Sequence, residues 1–148
     1  MNAMEINNYV VDMYGVLSKK CEYGEAMENL NEYEMIFYIA QELEAEVNNG
    51  GFWQFFYNSS GNFSNQLVDA FNEIDASQTA EICQKALTVF GGSVPVDREE
   101  RQDLMEQLEI EEDNEILCEC DEAFYGYAED LVQLNYEYIM QHKECFPQ

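Results

Sequence analysis

The strongest constraint on this chain is the run Phe52-Trp53-Gln54-Phe55-Phe56-Tyr57. It is aromatic at every position but one, preceded by Asn48-Asn49-Gly50-Gly51 and followed by Asn58-Ser59-Ser60-Gly61. Each aromatic side chain buries roughly 150–250 Å² when packed, so so much ring surface will not rest in water. The run is long enough for about two helical turns, and a helix that is apolar on almost every side belongs in the interior. The two glycines let the backbone turn sharply and pack close, while Asn58, Ser59 and Ser60 suit the end of the segment and the cap of the next. The expectation is a short buried central helix around which the remaining elements assemble. The rival use of the same rings, a ligand or peptide groove lined by Phe52, Trp53 and Tyr57, needs their polar tips at a solvent-open surface.

The flanking sequence supplies helices to surround such a plug. From Asn31, Tyr33, Ile36, Phe37, Ala40, Leu43 and Val47 fall on one stripe at helical spacing. Asn31 and Glu34 form a capping signal, and Gly50 is the expected stop. Further amphipathic helices are predicted at about Met4–Leu17, Ser64–Ile74, Ser77–Phe90 before Gly91-Gly92, from Asp97 after the turn at Pro95, and Asp121–Lys143. Strand-like alternation is scarce, and neither an internal repeat nor a long linker divides the sequence. The reading is an all-α single domain spanning 1–148, a bundle of six to seven helices with the aromatic helix at its centre.

Charge is the second constraint. The chain carries 31 acidic against 6 basic residues, a net charge of −25, with no Lys or Arg between Lys20 and Lys85 or between Arg101 and Lys143. A hydrophobic content of 47% argues against a disordered acidic tail. Such a surface repels nucleic acid and anionic lipid and attracts basic macromolecules, so direct nucleic-acid binding and membrane binding are excluded on electrostatic grounds. A charge of about 2–8 suffices for solubility at this size. The excess costs stability through self-repulsion and calls for a use.

Other chemistry is poorly represented. His142 is the sole histidine and sits beside Lys143 near a helix end, where a cation favours the helix dipole; no nucleophile is paired with it by local sequence. Cys118, Cys120, His142 and Cys145 hold the atoms of a zinc site but not the usual ligand spacings. The acid-rich segment from Glu109 to Glu122 lacks the glycine and alternating ligands of a calcium loop. No catalytic, cofactor-binding or metal-binding residue is therefore expected. Five cysteines in no compact pattern, without an N-terminal targeting segment, fit a reduced cytoplasmic protein. In that compartment the Asn58 and Asn62 sequons are turn residues.

The carboxylates themselves have a geometry. Acids one helical turn apart stand ~5–6 Å apart on one face, as expected for Glu25, Glu28 and Glu32 and for Asp103 and Glu106 with Glu99 or Glu100. Two such rows could imitate two phosphate backbones and draw the same counterion-release energy from a basic partner. The mean density alone falls short. A chain of this mass exposes roughly 7,800 Å², whereas duplex DNA carries about one charge per 110 Å² of a cylinder ~20 Å wide.

The segment from Glu46 to Gly61 resembles the signature of a bacterial family of small acidic proteins that includes a DNA mimic. Asn49, Gly50, Gly51, Phe52, Gln54, Phe55, Phe56, Asn58, Ser59 and Gly61 carry that likeness. The resemblance implies an all-helical, dimeric, non-catalytic protein. It also implies an acidic surface that engages a helix-turn-helix transcription regulator and keeps it from its operator, the signature being structural. The expected contacts with such a basic DNA-binding protein, a transcription regulator or a nucleoid protein, are Glu25, Glu28, Glu32, Glu99, Glu100, Asp103, Glu106, Glu109, Glu111, Glu112, Asp113, Glu115, Glu119, Asp121 and Glu122. The alternatives are an immunity or antitoxin-like protein neutralising a basic toxin or nuclease, and a small-ligand binder at the aromatic segment.

Overall fold

A computed structural model describes residues 1–108 and 111–148, with the side chains of 111–114 outside the description. Among the described residues there are seven α-helices and no strand: α1 Ala3–Lys20, α2 Glu32–Tyr57, α3 Leu67–Glu73, α4 Ser77–Leu87, α5 Arg98–Gln107, α6 Glu111–Tyr125 and α7 Leu131–Gln141. Short 3-10 segments join them, the longest being Ser59–Gln66.

Helix α2 is the axle. Its N-terminus carries the expected capping box: Asn31 Oδ1 accepts the Tyr33 and Glu34 N–H groups, and Glu34 accepts from the Asn31 N–H. Buried Glu34 is also held by Lys20, whose Nζ lies 2.8–2.9 Å from both carboxylate oxygens. The sequence shows one apolar stripe, yet Tyr38, Ile39 and Gln41 are buried beside Phe37, Ala40, Leu43 and Val47. The reason is position: α1, α3, α5, α6, α7 and the Ser59–Gln66 segment all pack on α2, leaving little of it to water.

The helix does not stop at Gly50. It breaks one residue later, at Gly51, where φ is 83° and ψ 178°. Beyond that kink lies the aromatic helix, with Phe52, Phe55 and Phe56 fully buried. Phe56 meets Phe90 edge-on at 4.9 Å between centroids, and Phe52 meets Phe124 at 6.3 Å. The rings therefore form the centre of the core. Trp53 and Tyr57 are half-buried against it, and the clefts described among these residues are lined by other side chains.

Three expected elements need correction. The acids Glu25, Glu28 and Glu32 do not share a helix. Ala26, with φ −131° and ψ 56°, parts Glu25 from the 3-10 turn Met27–Asn29 that holds Glu28, and Leu30 and Asn31 are extended before α2 begins at Glu32. The long helix expected over Asp121–Lys143 is two helices. Helix α6 ends at Tyr125, Tyr127 has φ 44°, and Asp130 caps α7 by accepting from the Gln133 N–H at 3.1 Å. Phe124, Tyr127, Leu131, Leu134 and Tyr138, spaced three and four apart as on one helix face, fall on both sides of that turn. The predicted helix over Ser64–Ile74 begins as 3-10 and becomes α only at Leu67.

Candidate functional site

The signature residues are joined by a hydrogen-bond frame rather than gathered round a cavity. At Gly51 a Cβ atom would lie 2.5 Å from Asp121 Oδ2, so the missing side chain is what lets the carboxylate of α6 approach. Asp121 Oδ1 then accepts the Phe52 N–H at 2.7 Å. It performs the service of an N-cap from a different helix, because glycine at that position has no oxygen to offer. Burial pushes the Asp121 carboxyl above its ordinary range, while the Phe52 N–H pulls the other way. Gln54 and Asn58 both donate to Glu46 Oε2, at 2.6 and 3.2 Å, bridging the kink. Tyr125 donates to the Val47 carbonyl at 2.8 Å, satisfying one of the carbonyls left over where α2 breaks.

Gly61 serves a different neighbour. Its Cβ would lie 2.6 Å from Nε of Arg101, which is fully buried and enters from α5. The guanidinium donates to the carbonyls of Phe56, Asn58, Pro95 and Val96 and to Asn62 Oδ1. All five of its N–H groups are thereby used, and no carboxylate is among the acceptors. Burial holds the guanidinium below its ordinary range. Arg101 thus knots the end of the aromatic helix, the following 3-10 segment and the start of α5, and nothing in the sequence reading singled it out.

The acids divide into those with internal duties and those facing water. Glu34, Glu46 and Asp121 are internal bond acceptors. Glu129 caps α4 from outside by accepting from the Gln78 and Thr79 N–H groups and from the Thr79 hydroxyl. Ala76 precedes α4 and has no capping oxygen of its own. Burial raises the Glu42 and Glu44 carboxyls, tyrosine hydroxyls opposing the shift in both.

Of the expected contact acids, Glu25, Glu28, Glu32, Glu99, Glu100, Asp103, Glu106, Glu115, Glu119 and Glu122 are exposed. Glu99, Asp103 and Glu106 lie at successive turns of α5 and share a face. Glu119 is paired with Lys85 at 2.7 Å, and Asp121 is turned inward as described. Glu109, and the side chains of Glu111, Glu112 and Asp113, lie outside the described residues. Ion pairs among the described residues are two, Lys20–Glu34 and Lys85–Glu119. The accessible surface is 7820 Å², which for a charge of −25 means about one net charge per 310 Å². The carboxylate surface is therefore largely uncompensated.

His142 stacks on Tyr33 at 4.4 Å and meets Tyr138 at 4.8 Å, an aromatic packing role at the end of α7. No three His, Cys, Asp or Glu side chains among the described residues are placed to share a metal ion. No helix among them is long and apolar enough to cross a membrane.

Comparison with curated proteins and with solved structures yields no match. The family described as DMP19-like protein matches residues 28–142, a span that runs from the turn before α2 to the end of α7 and contains the whole hydrogen-bond frame. The chain belongs to the DMP19-like family.

Proposed function

We propose that this protein is a non-catalytic DNA mimic whose acidic surface binds a basic DNA-binding protein, such as a helix-turn-helix transcription regulator, in competition with DNA. The observation that carries the reading is the uncompensated carboxylate surface: 31 acids, of which the described residues pair two with cations. The exposed row Glu99, Asp103 and Glu106 gives that surface one ordered edge. Family membership supports it, since the resemblance that marks the family includes a DNA mimic. A basic domain that releases counterions on meeting phosphates gains in the same way on meeting closely spaced carboxylates.

The reading extends to a reducing cytoplasm, with no direct nucleic-acid or membrane partner, and to a homodimer whose two surfaces would merge. Helix α1 leaves Met4 and Val11 in water, two turns apart on one face, a surface poor in charge where two such acidic chains could meet. The test is a competition experiment in which a basic helix-turn-helix domain bound to its operator duplex is titrated with the protein. Release of the duplex is expected. Charge reversal of Glu99, Asp103, Glu106 and Glu115 to Lys should abolish release while far-UV circular dichroism is unchanged. Release that survives this reversal, and reversal of Glu25, Glu28 and Glu32 as well, contradicts the reading. Capture of a basic nuclease without effect on any regulator would favour an immunity-type role instead.

A further inference from the structure

Away from the α5 row lies a second set of acids around the end of α3 and the outer side of α7. Glu73, Asp75 and Glu137, with Tyr138 and Gln141, line a cavity of about 10 Å³. Tyr138 is 3% exposed, yet its hydroxyl has no hydrogen-bond partner. Buried hydroxyls in folded proteins nearly always find a partner, so the Tyr138 oxygen is left to be met by a group from outside the chain. Glu73 also borders an adjoining cleft of about 400 Å³, where Glu32 and Asp69 join it beside Tyr33 and Ile36. None of the Lys or Arg residues lines either space, and both described ion pairs are elsewhere.

The missing group can be defined by its chemistry. Carboxylates and a tyrosine oxygen with free lone pairs ask for a cationic donor. A space of this size holds about one water-sized group. A lysine ammonium is compact and carries three donors in different directions, whereas a guanidinium is a broad planar fork. No three of the acids are arranged to share a metal ion. The adjoining cleft offers an apolar wall, Tyr33 and Ile36, along which a lysine's methylene stem can lie while its head reaches the carboxylates.

We propose that the cavity beneath Tyr138, between α3 and α7, receives the ammonium group of a lysine side chain from the basic protein partner. The inference rests on the reading of a basic partner given above and adds an anchor point to it. It also moves part of the contact surface to Glu73, Asp75 and Glu137, which lie outside the segments singled out by charge density in the sequence.

The test compares calorimetric binding of oligolysine and oligoarginine of equal length to the full chain at low salt. The variants are Tyr138→Phe, Glu73→Gln and, as a remote control, Glu106→Gln. Tyr138→Phe removes one buried oxygen and keeps the ring. It should weaken oligolysine about fivefold or more, the effect of one lost hydrogen bond, and leave oligoarginine within about twofold. Glu73→Gln, exposed at the rim, should act in the same direction and keeps the test decisive if Tyr138→Phe lowers stability. Unchanged oligolysine binding by both variants means that the hydroxyl is met by water only and overturns the proposal. Equal losses for the two peptides overturn it as well, since they speak for bulk charge. If the unaltered protein binds neither peptide, the DNA-mimic reading fails and takes this proposal with it.

Discussion

At the residue scale, the decisive positions are those where one side chain replaces something the local backbone cannot supply. Gly51 combines a backbone conformation reserved for glycine with the close approach of Asp121. Gly51→Ala should therefore cost about 3 kcal/mol or more, read as a lowered denaturant midpoint. Asp121→Ala, which removes only the borrowed cap, should cost about 1–2 kcal/mol. Arg101→Met would take the donor from the carbonyls of Phe56, Pro95 and Val96 and leave Asn58 with the Gly61 N–H alone, at a cost of about 3–5 kcal/mol. Arg101→Lys should restore little of it, since an ammonium has three donors where the site uses five.

The raised carboxyls of Glu42, Glu44 and Asp121 set a pH dependence. Their folded values lie above the unfolded ones near ~4, so folding favours the protonated form. The stability they contribute is complete below the unfolded value and is lost as pH rises through the raised values. Mutual repulsion among the remaining acids acts in the same direction. Melting temperature should thus be higher at mildly acidic than at neutral pH. An unchanged or lower value in mild acid would contradict the burial of these groups.

At the element scale, helices in this chain are capped by their neighbours. The aromatic helix takes its cap from Asp121 on α6, and α4 takes its cap from Glu129 in the turn before α7. Glu129→Ala should therefore speed amide exchange at Gln78 and Thr79 while leaving Phe52 protected, and Asp121→Ala should do the reverse. Loss of protection at both sites in either variant would mean that the caps do not act separately.

This borrowing explains what could be read from the sequence. The aromatic helix, the capping box at Asn31 and Glu34, and the stop at Gly91 are local patterns, and the expectations for them agree with the structure. The break between α6 and α7 was not legible, because apolar spacing runs on from Phe124 to Tyr138 while the chain turns at Tyr127, a non-glycine residue in a left-handed conformation. The single row through Glu25, Glu28 and Glu32 is broken by the backbone between the acids, bent at Ala26 and extended at Leu30 and Asn31. The signature's glycines signalled close approaches but could not name the approaching groups. Asp121 looked like one more surface acid, and Arg101 like an ordinary cation of an exposed helix. The cavity at Tyr138 joins residues from α3 and α7 that nothing in the local sequence connects.

At the scale of the whole molecule, a tightly knit aromatic core carries a surface with far more negative charge than its few cations offset. Added salt screens that repulsion over about a Debye length. Sodium chloride should therefore raise the melting temperature while weakening any basic partner's hold, and opposite responses of stability and binding to one variable are the signature of an uncompensated surface. The most direct test of the central claim is the affinity for a basic helix-turn-helix domain across a salt series, with its operator duplex as competitor. Binding of protein and duplex should be mutually exclusive, with a log–log salt dependence about as steep as that of the duplex, a loss of order 10³ or more between low and moderate salt for a contact equivalent to about six phosphates. A salt-independent affinity, or a ternary complex in which duplex and protein occupy the domain together, would contradict it.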